Sequence, residues 1–250
     1  MKAQVSKNGG TKTGMNRTGI ALSPIDSKEL IQGALATQPS MEGNDETANV
    51  MRIEYGKAAE PIGTVPPPTT MKGAAGTVVK AVKGENMSAF LDKLGARLAF
   101  ERAGTRLYAA LITKHKSSPP LPGGPTLEQL QEIEADEHAH FQMLVEAVKS
   151  LGGDPTVVTP AADVSAVASM GLPQVLADPR TTMLQCLEAI LMAELIDNEC
   201  WTVLAELAER LGHKELAENF RAALAEEEKH LLLARSWVTE ATLRDGGAVH

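Results

Sequence analysis

The chain has 250 residues, 43% of them apolar but only 3% aromatic, and a formal net charge of −8; this suffices for one substantial core or two small ones. The acidic excess lies in residues 86–250, where 14 Lys and Arg face 24 Asp and Glu, a balance of −10 that leaves +2 for residues 1–85. An acidic body without a basic, aromatic-interleaved patch excludes nucleic acid as a natural partner, and without a run of about 18 apolar residues no membrane span is expected.

Cys186 and Cys200 fall on one predicted helix, about 21 Å apart at 1.5 Å per residue, too far to pair with each other. No CxxC pair occurs, and the N-terminal residues show no apolar signal core. Both features fit a reducing, cytoplasmic setting.

Residues 1–70 are rich in Gly, Thr, Asn, Ser and Pro and end in GTVPPPTT. They read as a largely disordered or extended arm. Residues 71–83, MKGAAGTVVKAVK, offer one short amphipathic helix weakened by two internal glycines. Residues 1–85 together form an N-terminal extension that can dock on the main body, on a neighbouring subunit or on another partner.

From Ser88 the pattern is helical. The first predicted helix runs from Ser88 to Lys116 and is stopped by SSPPLPGGP. The second starts at Thr126, where T-L-E-Q is a capping box, and runs to about Leu151 before a Gly pair. The third starts at Asp178-Pro179, an N-cap followed by Pro at the first helical position, and ends near Leu211 with Gly212 as its stop. The fourth spans Lys214–Thr242, leaving 243–250 as a tail. Short turns within each pair and a long link over residues 152–177 predict an all-α protein. Its residues 86–242 form a four-helix bundle of two antiparallel hairpins joined by a crossover, with a short helix near Asp163–Met170.

Each helix carries an apolar stripe, and each stripe has one glutamate in its middle. The first reads Leu91, Leu94, Leu98, Glu101, Thr105, Tyr108, Ile112; the second Leu130, Ile133, Glu137, His140, Leu144, Val148. The third reads Leu184, Leu187, Leu191, Glu194, Asn198, Trp201, Leu204; the fourth Phe220, Leu224, Glu227, His230, Ala234, Trp237. A buried, unpaired carboxylate costs several kcal/mol or takes up a proton instead. Four facing each other demand cations. Glu137-His-Ala-His140 and Glu227-Glu-Lys-His230 are both E-x-x-H, which sets Glu and His on nearly one face, one turn apart. The two halves repeat: Tyr108 follows Glu101 by seven residues, as Trp201 follows Glu194.

Glu, E-x-x-H, Glu, E-x-x-H on four helices with a long middle connection resembles the ferritin-like superfamily, the ferritins, bacterioferritins and rubrerythrins with dinuclear carboxylate centres. The resemblance covers residues 88–242. It implies a metal set of Glu101, Glu137, His140, Glu194, Glu227 and His230, with Glu137 and Glu227 bridging two ions. Glu101 and His140 would then serve one ion, and Glu194 and His230 the other. Two Fe ions are implied, with two Mn ions as the alternative. Asp197 and Glu134 are candidate additional ligands, since rubrerythrins carry an extra carboxylate on the third helix. Tyr108 matches a tyrosine near the metals of bacterioferritins and rubrerythrins and is a candidate catalytic residue.

His138, Glu226 and Glu228 are expected at the surface, Trp201 in the core, and Cys200 as a buried thiol. The implied activity is Fe²⁺ oxidation or reduction of O₂ or peroxide, a ferroxidase or peroxidase chemistry tied to oxidative stress, in a homo-oligomer. A manganese-catalase-like disproportionation of peroxide and a metal-free bundle for assembly are the alternatives.

Overall fold

The computed structural model describes residues 11, 14, 19, 23–37, 43–68 and 87–248. The chain divides into two units, Met1–Ile62 and Gly63–His250. The described residues of both are helical and irregular, without strands.

The first unit holds two helices that the sequence pattern does not announce, α1 (Pro24–Ala36) and α2 (Asp45–Ala58). Each has a local start signal: Pro at the first turn of α1, and Asn44 accepting from the Thr47 N–H at the head of α2. Neither buries a residue. Ile25, Leu30, Ile31 and Leu35 of α1 are exposed, so this unit has no core of its own among its described residues. The candidate helix at 71–83 lies outside the described residues.

The second unit carries α3 (Met87–Ser117), α4 (Leu127–Ser150), α5 (Pro160–Ser169), α6 (Gly171–Ala177), α7 (Met183–Arg210) and α8 (Lys214–Asp245). The long helices α3 with α4, and α7 with α8, form the two hairpins, and α5 and α6 lie in the crossover between them. Three of the four ends expected at α4 and α7 fall where the sequence puts them. Thr126 accepts from the Gln129 N–H while the Gln129 side chain accepts from the Thr126 N–H, a complete capping box. Gly152 and Gly212 adopt left-handed backbone, φ 81° and 77°, and close α4 and α7 with the reciprocal N–H to C=O bonds of a helix stop.

The start of α7 is a correction. Asp178-Pro179 does not begin it. Asp178 terminates α6, and its carboxylate binds Arg180 through the backbone N–H and Nε, both at 2.9 Å. The helix begins one turn later, at a second capping box made by Thr182 and Gln185. Two satisfied N–H groups there outweigh the local preference of an Asp-Pro step.

The crossover is tied along α3. Thr159 caps α5 and also donates to the Asp92 carbonyl at 3.1 Å, while Asp92 Oδ1 accepts from the Ala161 N–H at 2.8 Å. At its far end the Lys114 ammonium donates to the carbonyls of Asp178 and Thr181. These bonds return the chain from the end of one hairpin to the start of the other.

Two apolar clusters fill the bundle. One gathers Leu107, Leu111, Leu130, Ile133, Leu187, Ile190 and Trp237. The other gathers Phe90, Leu94, Leu144, Trp201, Leu204 and Phe220. Between them in every long helix comes a polar layer: Glu101 on α3, Glu137 and His140 on α4, Glu194 and Asp197 on α7, Glu227 and His230 on α8.

Candidate metal centre

The four stripe glutamates and both E-x-x-H histidines are buried, none more than 3% exposed. Burial follows from spacing: each replaces a core residue in a 3.6-residue repeat, so the packing that buries its apolar neighbours carries it inward. Ligand atoms of Glu137, Glu194, Glu227 and His230 lie within 4.8 Å of one another, as do those of Glu101, His140 and Glu227, and those of Glu101, Glu137, Asp197 and Glu227. Glu134, one turn before Glu137, is half-buried and joins none of these groups.

The two histidines are held alike. His140 Nε2 meets Glu226 Oε2 at 2.8 Å, and His230 Nε2 meets Asp136 Oδ2 at 3.2 Å. Glu226 immediately precedes Glu227, and Asp136 immediately precedes Glu137, so each hairpin supplies the carboxylate that orients the other hairpin's imidazole. Accepting the Nε2 proton outside leaves Nδ1 facing inward, the orientation that outer carboxylates impose on metal-binding histidines. Nδ1 of His140 stands 2.7 Å from Glu227 Oε1 and 3.7 Å from Glu101 Oε2. Nδ1 of His230 stands 3.2 Å from Glu227 Oε2.

The glutamates of α3 and α7 are held by the repeat seen in the sequence, used crosswise. Tyr108 of α3 donates a short hydrogen bond to Glu194 Oε1 on α7, and Trp201 of α7 donates to Glu101 Oε1 on α3 at 2.9 Å. Each aromatic sits seven residues beyond one glutamate and fixes the other. Trp201 therefore both fills the core and carries a polar contact. In each carboxylate the second oxygen, Oε2, has no hydrogen-bond donor, while Glu227 Oε1 and His140 Nδ1 have only each other, at 2.7 Å. Buried carboxylate oxygens without donors, set among further carboxylates, are a costly arrangement, and they fit the demands of bound cations.

The electrostatics express the same crowding. Burial raises Glu137 well above the usual carboxylate range, and the charges of Glu101 and Glu227 push it further. Burial, then the charge of Glu227, lifts Glu194 to about 8 against the opposing hydrogen bond from Tyr108. Burial would also raise Glu227, but the two imidazoles beside it hold it below the usual range. Burial would lower His140, but Glu227 and Glu101 outweigh it and raise His140 to about 9. Burial and the neighbouring Glu194 carboxylate raise the Tyr108 phenol.

Several residues have a role at the layer that the sequence does not assign to them. Arg97 is buried on α3; its Nε lies 3.0 Å from Glu101 Oε1, and its Nη2 forms an ion pair with Asp197. Asp136 and the half-exposed Glu226 hold the histidines. Asn198 donates to the carbonyls of Glu194 and Glu227, pinning α7 to α8 at the layer. His138 is exposed as expected, whereas Cys200 is exposed rather than buried. It lies one position, about 100° of helix, away from buried Trp201.

Gly104 lies three residues after Glu101, where a Cβ would overlap Glu137 Oε2. Gly104→Ala is therefore expected to displace the Glu137 carboxylate and weaken metal binding roughly 10–100-fold, the scale of disturbing a ligand's support. Helicity should be retained, as read by circular dichroism beside calorimetric metal titration.

The ferritin-like domain family matches residues 123–243. Residues 123–243 are a ferritin-like domain. The matched span starts in the loop before α4, and the structure adds α3 with Glu101 to the same ferritin-like bundle. No curated protein and no solved structure gives a significant match to the chain. Among the described residues no helix is long and apolar enough to cross a membrane.

Proposed function

We propose that this ferritin-like domain is a dinuclear metal protein, with iron as its native metal, that oxidises Fe²⁺ or reduces O₂ or peroxide. The observation that carries this reading is the convergence of the buried ligand atoms of Glu101, Glu137, His140, Glu194, Glu227 and His230 between two apolar clusters, with Oε2 of Glu101 and Glu194 left without a donor. Glu101, Glu137, His140, Glu194, Glu227 and His230 would hold the two ions, with Glu101 and His140 on one side of the layer and Glu194 and His230 on the other. Mixed carboxylate and imidazole donors suit iron or manganese. Bound there, the metal pair supplies open coordination for oxygen species and two electrons.

The chain's own residues set the conditions. The apolar clusters above and below exclude bulk water from the layer. Trp201 and Tyr108 each occupy one oxygen of a glutamate and leave the other free for a cation. The Tyr108 O–H donates to Glu194 and so holds that carboxyl, and the phenol itself, at the edge of the centre. A cytoplasmic location and a homo-oligomeric state complete the reading, with residues 1–85 as the segment that docks on a neighbour.

Anaerobic loading with Fe²⁺ followed by exposure to O₂ or peroxide tests the activity. Stoichiometric oxidation of bound Fe²⁺, followed by its absorbance in a stopped-flow instrument, is the expected result. Oxygen evolution from peroxide by manganese-loaded protein without an electron donor, together with inert iron-loaded protein, would replace it with the manganese-catalase reading.

A further inference from the structure

The two halves of the polar layer correspond position by position, with Tyr108 against Trp201 and Asp136 against Glu226, but they differ in charge at two pairs of positions. Four residues before Glu101 stands Arg97, and four before Glu194 stands Ile190. Three residues after Glu194 stands Asp197, and three after Glu101 stands Gly104. One diagonal of the repeat therefore holds a guanidinium and a carboxylate in an ion pair, and the other holds an apolar side chain and no side chain at all.

The pair is part of the layer. Asp197 is 3% exposed, and its carboxylate lies within the same 4.8 Å group as those of Glu101, Glu137 and Glu227. Neither Asp197 oxygen has a hydrogen-bond partner; its one partner there is the guanidinium. Arg97 cannot swing away, since it is packed 4.5 Å from the Phe100 ring centre and 5.7 Å from that of Trp201. A guanidinium does not deprotonate in a protein. The layer thus sets the carboxylates of Glu101, Glu137, Glu194, Asp197 and Glu227 against one permanent cation, a net charge of −4 when all five are ionised.

We infer that Arg97 is the internal counter-cation of the centre: it neutralises Asp197, withholds it from the ligand set beside Glu101, and so fixes the layer's demand at two divalent ions. This rests on the metal-centre reading above. Arg97 is a positioning residue that acts through charge. Removing it frees a fifth carboxylate within reach of three ligands, and removing Asp197 alone leaves a bare guanidinium beside them.

Calorimetric titration of metal-free full-length protein with Mn²⁺ alone tests this through opposite signs. Asp197→Asn is expected to weaken binding about tenfold or more, and Arg97→Met to tighten it by a similar factor, on the scale of one unit charge near a divalent ion. The double variant R97M/D197N, in which the charges cancel, is expected within about threefold of the wild type, and Arg97→Lys likewise. If both single variants bind more weakly, the pair only supports the fold and the inference fails. If the double variant stays as weak as Asp197→Asn, Asp197 is an ordinary ligand and the inference fails. Should Arg97→Met not fold, the comparison of Asp197→Asn with the double variant decides alone: tighter binding by the double supports the inference, and equal binding overturns it. Wild-type protein that binds no Mn²⁺ or Fe²⁺ would instead remove the metal-centre reading itself.

Discussion

Glu137→Gln is expected to stabilise the metal-free protein at pH 8 while weakening its hold on metal by at least roughly 100-fold. The first effect follows from the raised Glu137 carboxyl. A carboxyl whose folded value lies above its unfolded value keeps a proton that the unfolded chain has released. Stability is then lost as pH rises from the unfolded value, near 4.5, through the folded one. An amide at this position needs no proton, so the variant gains stability at pH 8 and about nothing near pH 4.5. Glu227→Gln is expected to act in the opposite sense. Glu227 lies between two imidazoles that favour its ionised form, and loss of its charge should cost roughly 3 kcal/mol at pH 7, the scale of breaking a buried pair. Denaturant unfolding of both metal-free variants at pH 5 and pH 8 measures this. Shifts of the same sign in the two variants at pH 8 would contradict it.

Metal binding at pH 7 is expected to release about two or more protons per chain. His140 is raised to about 9 and Glu194 to about 8, so both hold protons in the metal-free protein at neutral pH. Ligation requires both protons to leave. Apparent affinity should therefore rise about tenfold per proton per pH unit between pH 6 and 8. Metal-free stability should fall over the interval from about 6.5 to 9, in which unfolded histidine has lost its proton and folded His140 has not. Titration calorimetry in buffers of different ionisation enthalpy counts the protons. A count of zero would place the binding somewhere other than these side chains.

The polar layer was legible because it violates the stripes that surround it. A glutamate among Leu98, Tyr108 and Ile112, or among Ile133 and Leu144, is conspicuous at helical spacing, and E-x-x-H marks its partner. The residues that hold the ligands carry no such mark. Arg97 adjoins Leu98 and reads as a surface side chain; it is buried because Asp197, 100 residues later, neutralises it. Its one sequence signal is the position four before Glu101, on the same face. Asp136 and Glu226 sit among other carboxylates on half-exposed faces, and only the pairing of the hairpins selects them. Cys200 was misplaced because adjacency to a core tryptophan says little about burial when each residue turns about 100°. The start of α7 departs from the Asp178-Pro179 signal because Asp-Pro satisfies a local rule that the Thr182–Gln185 box satisfies better. Helices α1 and α2 leave no periodic mark in the sequence, because glycines and polar residues break their period and no core fixes it.

The metal-centre reading stands on two ions bound between the four glutamates. The decisive measurement is elemental analysis of protein expressed with iron and manganese available, beside the variant E137A/E227A. About two metal ions per chain are expected in the wild type, and none retained in the variant, whose helical content is preserved. Wild-type protein without metal, or a variant that keeps its full complement, would overturn the reading.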